Sequence, residues 1–440
     1  MSTVGIGLVG LGTVGSGTVR VLLDHRQQYL DSYGIDVKVV RACSLVPEDA
    51  ERLGLEEGVW VADWHDVATD PEVDIVIEVI GGEHPATEIY RTAFAGGKHV
   101  VTANKALLGK QVETFAREAR EAGVQLRCEA ACAGGIPIVS TLEHDFIGNK
   151  ILTIAGIMNG TTNYILSRMA DEGLDFDEVL ADAQAAGYAE ADPTADVDGF
   201  DAASKIALLA SMGFQTRVTT DDVYMQGIRK VSAADIAQAK SLGYVIKLLA
   251  IARHTDAGVD VRVHPTMIPA NHQLAAVSGA MNAVYVVGDA IGETMFYGAG
   301  AGSFPTASAI VGDVLALAEP IARGVAPLPE GKPFGRNLPI CSIEDLQTHY
   351  YIRLAVEDQV GTLAPVVDVF SNRGISIASV NQLSQNPDGI CSVVFLTHTA
   401  READIMAAEA DLAALPVVRE VASVIRIEDM DAWTQGMFAN

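Results

Sequence analysis

Positive charge is scarce in this chain: 30 lysines and arginines stand against 57 aspartates and glutamates, a formal net charge of −27 at pH 7. Such an excess of negative charge repels phosphate backbones and anionic lipid headgroups, which argues against nucleic acid and membrane surfaces as partners. Prolines are also few, 16 in 440 residues, and 49 % of the residues are hydrophobic. This composition excludes a disordered chain.

Cysteine is scarce as well, and the apolar runs are short. The five cysteines are odd in number and irregularly spaced, which favours reduced, mostly buried thiols over a disulfide framework. Cys128 and Cys132 lack a second ligand pair, so we expect no zinc site. Apolar stretches such as Tyr244–Arg253 contain a lysine, well short of the ~20 apolar residues that a membrane span needs. The N-terminus lacks the basic region of a signal peptide, and we expect a cytoplasmic protein.

The first two regions of the chain differ in their pattern of strands and helices. From Val4 to about Ala130, short β-branched runs alternate with helical stretches, which is typical of βαβ units on a parallel sheet. We therefore expect an α/β fold with a Rossmann-type dinucleotide-binding domain over 1–135, completed by about 300–320. Residues 136–320 mix strands with alanine-rich helices, which favours an α+β domain for substrate binding and oligomer contacts.

The third region follows a stretch rich in glycine and proline, 321–348, which we interpret as a linker. Residues 349–430 then predict strand, helix, strand, strand, helix, strand: Tyr350–Glu357, Leu363–Arg373, Ile377–Gln382, Ile390–Thr397, Arg401–Ala413 and Val418–Ile427. This order is typical of a ferredoxin-like module. A hairpin turn is predicted at Asn386-Pro-Asp-Gly389, because glycine tolerates positive φ.

A glycine motif, Gly10-Leu11-Gly12-Thr13-Val14-Gly15, joins the first strand to the first helix. In that context the glycines permit a tight turn and close backbone approach, and the helix N-terminus offers free N–H groups to a pyrophosphate. The alternative is a structural glycine-rich turn. The second strand ends at Arg41-Ala-Cys-Ser-Leu-Val46 without the acid that usually holds an NAD ribose and without a basic clamp for a 2′-phosphate. The choice between NAD and NADP therefore stays open.

Three polar segments carry candidate chemistry. Gly187–Lys205 is an acidic loop that enters a helix, where Asp201 and Lys205 share one face at i and i+4. Its alternative interpretation is a solvated loop with Asp198 as N-cap and Asp201 at the third helical position. Gly156–Leu166 is a polar turn between strand and helix. Lys105 follows a parallel strand, at the edge where open sheets bind ligands, although an ordinary surface lysine would also fit.

These motifs, together with Glu129–Pro137 and Gly298–Ala309, stand in the order found in homoserine dehydrogenases, and the chain resembles that family over most of Met1–Pro320. The strings Asn-Gly-Thr-Thr-Asn and Gly-Tyr-x-Glu-x-Asp-Pro are far more discriminating than the glycine motif. Glu357–Leu363, followed by Asn372–Ile377, resembles the opening of an ACT module, a small amino-acid-sensing domain.

The resemblance implies reversible reduction of L-aspartate 4-semialdehyde to L-homoserine by NAD(P)H, on the route to threonine, methionine and isoleucine. It gives Lys205 the role of general acid in reduction and base in oxidation. Lys105 would touch both substrate and nicotinamide, and we expect the two ammonium groups to lower each other's pKa. Asp201 joins them as a catalytic, substrate-binding carboxylate. The remaining substrate-binding candidates are Glu190, expected on the substrate's ammonium group, and Tyr188, Gly160 and Thr161, expected to position it.

The same resemblance implies a monovalent cation, sodium or potassium, on main-chain oxygens of Glu129, Cys132, Gly134 and Ile136. It also implies a homo-oligomer, dimer or tetramer, and a threonine effector at the ACT module. Two other functions compete with this one. The first is another Rossmann amino-acid or semialdehyde dehydrogenase, of which an acylating one would use Cys128 or Cys132 as its nucleophile. A catalytically silent amino-acid sensor would need none of Lys105, Glu190, Asp201 and Lys205.

Overall fold

A six-stranded parallel sheet forms the N-terminal part of the computed structural model, which describes residues 3–327, 334–382 and 389–438. The strands lie in the order β3-β2-β1-β4-β5-β6, the order of a doubly wound dinucleotide-binding sheet, which confirms the predicted Rossmann-type domain. Its strands are β1 (Thr3–Val9), β2 (Asp36–Cys43), β3 (Trp60–Val61), β4 (Ile75–Glu78), β5 (His99–Thr102) and β6 (Leu126–Arg127). Its helices are α1 (Thr13–Tyr33), α2 (Glu48–Arg52), α3 (Trp64–Ala68), α4 (Ala86–Ala95) and α5 (Lys105–Glu121).

A mixed sheet and six helices make up the middle of the chain. The strands are β7 (Ile151–Ile157), β8 (Tyr224–Met225), β9 (Tyr244–Thr255), β10 (Gly258–Pro269), β11 (Met281–Gly288) and β12 (Gly292–Ala299). The helices are α6 (Gly160–Glu172), α7 (Phe176–Ala185), α8 (Thr194–Val197), α9 (Phe200–Phe214), α10 (Ala233–Ser241) and α11 (Ser303–Ala322). Helix α9 is almost entirely buried because it packs between α5 and the strands β7, β9 and β10. Its charged residues therefore face protein groups rather than water.

Helix α11 returns to the N-terminal sheet and packs along α1. Its residues Ile310, Val314 and Leu317 share one apolar core with β1. Within the described part of the chain it is the one helix long and apolar enough, by length and composition, to cross a membrane. Its buried Asp313 accepts a hydrogen bond from the Glu129 amide at 2.9 Å, so this helix is tied to the rest of the fold by a polar contact as well.

The C-terminal region has the predicted βαββαβ order. Its elements are β13 (Gln347–Glu357), α12 (Leu363–Asn372), β14 (Ile377–Gln382), β15 (Ile390–Thr397), the short β16 (Ala400–Arg401), α13 (Glu402–Ala413) and β17 (Val418–Ile427). The antiparallel order β17-β13-β15-β14 is that of a ferredoxin-like module. The predicted hairpin turn at Asn386–Asp388 lies outside the described residues.

The middle and C-terminal regions share one continuous sheet, which the sequence pattern does not reveal. Strand β17 pairs in parallel with β10 through Thr266 with Arg426 and Met267 with Ile427. Buried charges cross the same joint, where Arg262 on β10 donates to Glu428 at 2.7 Å. The C-terminal module is therefore joined to the middle region by main-chain pairing and by ion pairs.

The described part of the predicted linker is hydrogen-bonded to the start of β10. The amide of Val259 donates to the Pro339 carbonyl at 2.8 Å, and the amide of Cys341 donates to the Val259 carbonyl at 2.8 Å. Residues 339–341 thus run alongside the start of β10.

Candidate active site

The glycine turn between β1 and α1 has the shape that a pyrophosphate requires. Gly10 has a φ of 109°, and a side chain at Gly15 would collide with the Gly10 carbonyl, so strand and helix meet at these glycines. No atom lies within 4 Å of the position that a Gly12 side chain would take, which leaves open space there. Helix α1 has no side-chain cap, so the N–H groups at Thr13 and Val14 are available to phosphate oxygens. These residues fit a dinucleotide.

An open groove of about 550 Å³ lies beside this turn. Leu11, Gly12 and Thr13 form one wall, and Arg20 and Arg52 contribute basic groups to the lining. Ser303, at the start of α11, closes the groove on the other side by donating to the Thr13 carbonyl at 2.7 Å. The candidate cofactor groove therefore lies between α1 and the start of α11.

A cluster of two lysines around one carboxylate lies where the N-terminal domain meets α9. Lys205 is buried, and its Nζ donates to Asp201 Oδ2 at 2.8 Å and to the Met158 carbonyl at 2.6 Å. Lys105 forms an ion pair with the other oxygen of Asp201, and its side chain is 43 % exposed. We call Lys105, Asp201 and Lys205 the lysine–aspartate cluster; it brings together the three residues predicted to be catalytic.

The first turn of α6 supports this cluster from the opposite side. The buried Asn159 caps α6 by accepting from the Thr162 amide at 2.8 Å. Its Nδ2 donates to Asp201 at 2.9 Å and to Asp196 at 2.7 Å. Asn159 and Asp196 therefore belong to the site. Sequence analysis placed both in candidate segments without giving either a role, and their contact could not be seen without the fold.

The two lysines differ in pKa. Burial lowers the pKa of Lys205; Asp201 opposes this shift and the charge of Lys105 adds to it. Burial also opposes the ammonium form of Lys105, but its ion pair with Asp201 outweighs this and raises the pKa. Although Asp201 is buried, the two lysines hold the pKa of its carboxyl far below the usual range. The prediction that each lysine lowers the pKa of the other is thus correct for Lys205 and wrong for Lys105. At the more exposed Lys105, attraction to the Asp201 carboxylate has the larger effect on the pKa.

A buried carboxylate, Glu78, orders the turn that carries Lys105. It lies at the end of β4 and accepts hydrogen bonds from the Tyr90 hydroxyl at 2.8 Å and the Thr102 hydroxyl at 2.9 Å. Thr102 in turn accepts from the amide of Asn104, and the Asn104 side chain caps α5 at the Leu107 amide. This network places the first residue of α5, Lys105, beside Asp201. Sequence analysis missed this network because the hydrogen-bond partners of a glutamate inside an apolar strand cannot be recognised from the sequence.

The comparisons with known proteins agree with this geometry. A model of the homoserine dehydrogenase NAD-binding domain matches residues 10–129, and a homoserine dehydrogenase model matches residues 137–315. A homoserine dehydrogenase of Synechocystis sp. is 46 % identical over 439 residues, which cover 97 % of this chain and 99 % of that protein. The chain belongs to the homoserine dehydrogenase family.

Further homoserine dehydrogenases extend the match over the whole fold. The enzyme of Bacillus subtilis is 41 % identical over 430 residues, covering 97 % of this chain and 99 % of that protein. The crystal structure of the enzyme from Thiobacillus denitrificans superposes with a TM-score of 0.91 at 42 % identity, covering 98 % of this chain and 99 % of the other. As a homoserine dehydrogenase, the protein is an NAD(P)-dependent oxidoreductase that interconverts L-aspartate 4-semialdehyde and L-homoserine.

The residues predicted to bind substrate lie at the start of α6 and in the loop before α8. Gly160 and Thr161 open α6, and the Thr161 hydroxyl donates to the Tyr188 carbonyl at 3.0 Å. The Tyr188 ring is half exposed and stacks on Tyr164 with ring centroids 4.4 Å apart. Glu190 is exposed, and no described residue pairs with its carboxylate. The structure therefore joins Tyr188 to the site and leaves Glu190 without a partner.

The interpretation of Asp198 and Asp201 as a helix cap is wrong. The N-cap of α9 is Gly199, with a φ of 92°, and Asp201 is the second residue of the helix. Its carboxylate turns away from the helix N-terminus towards the two lysines. Asp198 instead pairs with Arg229 at 2.6 Å.

A second turn, around Ala133 and Gly134, holds the carbonyl groups predicted to bind a cation. Both residues have positive φ, 53° and 52°, which bends the chain sharply. The carbonyl oxygens of Cys132, Gly134 and Ile136 accept no hydrogen bond from any described residue, although all three residues are buried. The Glu129 side chain is occupied, since it accepts from the amides of residues 138–140 at 2.7–2.9 Å. The Glu129 carbonyl accepts from the Cys132 amide at 3.3 Å, so three of the four predicted main-chain oxygens have no described hydrogen-bond partner.

The thiols do not supply a nucleophile. None of the five cysteines, all of which the structure describes, forms a disulfide, and Cys128 and Cys132 are buried. Burial raises the pKa of Cys132 to about 12, so that its thiol stays protonated at physiological pH. Together with the family membership, this argues against the acylating dehydrogenase.

Proposed function

We propose that Lys205 is the proton donor of the reduction and the base of the reverse oxidation. A bound nicotinamide would supply the hydride to the aldehyde carbon, so the chain must supply a proton to the carbonyl oxygen. Lys205 Nζ uses two of its protons on Met158 and Asp201, which leaves one for that oxygen. Its lowered pKa makes proton transfer in both directions easier than for an ordinary lysine.

Lys105 has a different role in this proposal. Its pKa is raised, so it keeps its charge throughout turnover. Its side chain is partly exposed at the carboxyl edge of the parallel sheet. A permanent positive charge there stabilises the developing alkoxide without giving up a proton. Asp201 holds the two ammonium groups close together despite their repulsion.

Substrate binding is assigned to the start of α6 and to the loop before α8. The Gly160 and Thr161 amides lie at the helix N-terminus and are available to the carboxylate of the amino acid. Glu190, unpartnered in this structure, would receive the ammonium group, and Tyr188 would position the chain between them. This arrangement binds both ends of an amino acid while the aldehyde faces Lys205.

The observation that supports this assignment best is the buried Lys205–Asp201 pair, whose partner Lys105 follows β5 at the same carboxyl edge of the parallel sheet as the glycine turn after β1. The test mixes purified protein with homoserine and NAD⁺ or NADP⁺ at alkaline pH and follows the absorbance of the reduced nicotinamide. We expect turnover with at least one cofactor. A folded protein that gives none with either, with sodium or potassium present, would instead match a silent sensor.

We also propose a preference for NADP(H). The β2 strand ends at Cys43 without an acidic residue. Arg52 on the following helix lines the groove of the glycine turn and donates through Nη2 to Asp49 at 3.1 Å, which leaves its Nε and Nη1 without described partners. A guanidinium in this place suits a 2′-phosphate better than a 2′-hydroxyl. Arg52→Gln should raise the KM for NADP⁺ about tenfold, as expected for one charge-assisted hydrogen bond, and leave that for NAD⁺ unchanged. Equal effects on both cofactors would contradict the assignment.

A sodium or potassium ion is proposed at the turn around Gly134. The support is the set of buried, unpaired carbonyl oxygens at Cys132, Gly134 and Ile136, the donor type that hard monovalent cations prefer. We expect the melting temperature to rise when sodium or potassium replaces tetramethylammonium, which is too large for the turn. An identical melting temperature in all three salts would contradict this site.

The C-terminal module is proposed to be an ACT module of a cytoplasmic homo-oligomer, with threonine as effector. Gly361 has a φ of 92° in the loop after β13, with no atom near its missing side chain, and Asn381 lies on β14. Strand β14 is the edge of its sheet and mostly exposed, which suits pairing with a second copy.

Calorimetry with threonine, turnover in millimolar threonine and a mass measurement in solution test the three parts of this proposal. We expect Gly361→Val to remove threonine binding without changing basal turnover. If threonine neither binds nor alters turnover, only the pairing role remains.

A further inference from the structure

Lys247 is a buried lysine on the apolar strand β9, outside the lysine–aspartate cluster. Its Nζ donates to Asn163 Oδ1 at 3.0 Å and to the Val277 carbonyl at 2.6 Å. Both partners are neutral, and burial lowers the pKa of the ammonium group to about 8, with Asp171 opposing the shift. A neutral amine still has two N–H donors, so both contacts can form in either protonation state. Burying an ammonium group beside neutral partners is unfavourable, and a methionine would fill similar space without that penalty.

Asn163 connects this lysine to the first turn of α6. It is the last residue of the Asn-Gly-Thr-Thr-Asn string, and its side chain is buried. Its Nδ2 donates to the Met281 carbonyl at 3.0 Å and to the Val277 carbonyl at 3.3 Å. Lys247 therefore determines which way the Asn163 amide faces, because an ammonium group can only donate and must meet the amide oxygen. The amide nitrogen then points to the two carbonyl groups.

The segment 277–281, which leads into β11, lies against the first turns of α6. The amide of Gly279 donates to Ser167 Oγ at 3.2 Å. A side chain at Gly160 would come within 2.7 Å of the Ala280 carbonyl, so helix and segment are in direct contact at the residue that opens α6. The same turn carries the Gly160 and Thr161 amides that are assigned to the substrate carboxylate. The position of these amides therefore depends on how the segment 277–281 is held against α6.

We propose that Lys247 is a positioning residue for the substrate: through Asn163 it holds the segment 277–281 against α6 and so aims the amides of that helix at the substrate carboxylate. This inference rests on the role proposed above for the Gly160 and Thr161 amides. The hydrogen bonds of Lys247 and Asn163 do not involve the lysine–aspartate cluster, in which Asp201 is held by two ammonium groups of its own. Loss of Lys247 should therefore weaken substrate binding more than it slows the reaction.

Lys247→Met tests this role, because methionine has a similar length and no donor. We expect the KM for homoserine to rise about tenfold, the equivalent of one hydrogen bond to a charged group, while kcat changes less than about threefold. The dissociation constant of the reduced cofactor, followed by its fluorescence, should stay the same. The matched control is Lys98→Met. Lys98 is also buried and donates to two carbonyl groups, those of Asp70 and Val73, but it lies at the amino edge of the parallel sheet, so its loss should change the melting temperature and leave the KM unaltered.

A double-mutant cycle tests whether Lys247 acts through Asn163. Asn163→Leu keeps the approximate size of the side chain and removes its hydrogen bonds, so it should also raise the KM for homoserine at nearly constant kcat. The double variant should raise the KM no more than the larger of the two single changes, because both changes remove the same contact. Effects that simply add would show that the two residues act independently and would contradict the inference.

Calorimetry with L-homoserine separates this inference from the proposed function, because it needs no turnover. Wild-type protein that binds homoserine without oxidising it would contradict the proposed function alone. Three results would overturn the inference: homoserine binding and KM unchanged in Lys247→Met, a fall in kcat at constant KM, or an equal rise in KM in Lys98→Met. If Lys247→Met does not fold, Asn163→Leu decides, since an unchanged KM in that variant would contradict the inference as well.

Discussion

The lysine–aspartate cluster and the loop before α8 each carry an acidic group, and the two groups differ in burial and in hydrogen-bond partners. Asp201 is 8 % exposed and is held by two ammonium groups and the Asn159 amide. Glu190, on the loop, is exposed and has no partner among the described residues. The groups assigned to the reacting end of the substrate already hold one another in place, whereas the group proposed for its amino end has no partner among the described residues. Damage to the cluster should therefore appear in kcat, and damage to the loop in KM.

Lys205→Ala should give the largest effect, because it removes the proton donor and leaves the glycine turn intact. Loss of a general acid typically lowers kcat by about 10²–10⁴-fold, and the dissociation constant of the cofactor should stay the same. Steady-state kinetics with a cofactor titration measures both quantities, with Lys240→Ala as control. If the variant keeps more than about a tenth of kcat, Lys205 is not the donor and Lys105 takes its place.

Asp201→Asn should rank second, since it leaves two neighbouring ammonium groups without their shared counter-charge. The loss of a buried ion-pair partner should lower the free energy of unfolding by ~3–5 kcal/mol. Because Asp201 raises the pKa of Lys205, its loss should lower that pKa further. In the oxidation direction Lys205 acts deprotonated, so the rising limb of the pH–rate profile should move to lower pH.

Urea denaturation and a pH–rate profile measure these two effects of Asp201→Asn. The exposed Asp221→Asn serves as control. A limb that stays in place, or moves to higher pH, would show that Asp201 does not set the pKa of the catalytic base.

Glu190→Gln changes the loop before α8 rather than the lysine–aspartate cluster. It keeps the shape of the side chain and removes the charge expected to pair with the substrate ammonium group. A charge-assisted hydrogen bond is worth ~1.5–3 kcal/mol, so the KM for homoserine should rise by roughly one to two decades with little change in kcat. Glu190→Asp should restore part of the affinity. An unchanged KM would make Glu190 an ordinary solvated acid.

Thr161→Val should have the smallest effect, because it removes only the hydrogen bond from α6 to the Tyr188 carbonyl. The loss of a neutral hydrogen bond, ~0.5–1.5 kcal/mol, corresponds to a KM increase of about two- to tenfold at constant kcat. Thr161→Ser keeps the hydroxyl and should behave as wild type. A fall in kcat instead would mean that the loop and the cluster are one unit and would remove the distinction between them.

Local pattern predicted the elements well and their long-range partners poorly. The six C-terminal elements and the parallel sheet follow from apolar periodicity and turn residues, which are local properties. The joint between β10 and β17 pairs residues far apart in sequence, and no local pattern reports it. The site shows the same limit. Lys105, Asp201 and Lys205 were identified from their motifs. The alternative role of Asp201 in capping α9 was wrong, because its carboxylate contacts Lys105, which lies in another domain. Glu78 was missed for the same reason.

The joint between β10 and β17 can form only late in the synthesis of the chain. Arg262 and its partner Glu428 are separated by 166 residues, so a ribosome adding about 5–20 residues per second completes the pair roughly ten to thirty seconds after making β10. Until then the edge of β10 at Thr266 and Met267 is unpaired, and an arginine that is fully buried in the folded protein lacks one of its two carboxylate partners. The middle region therefore reaches its final packing only when the end of β17 has been made.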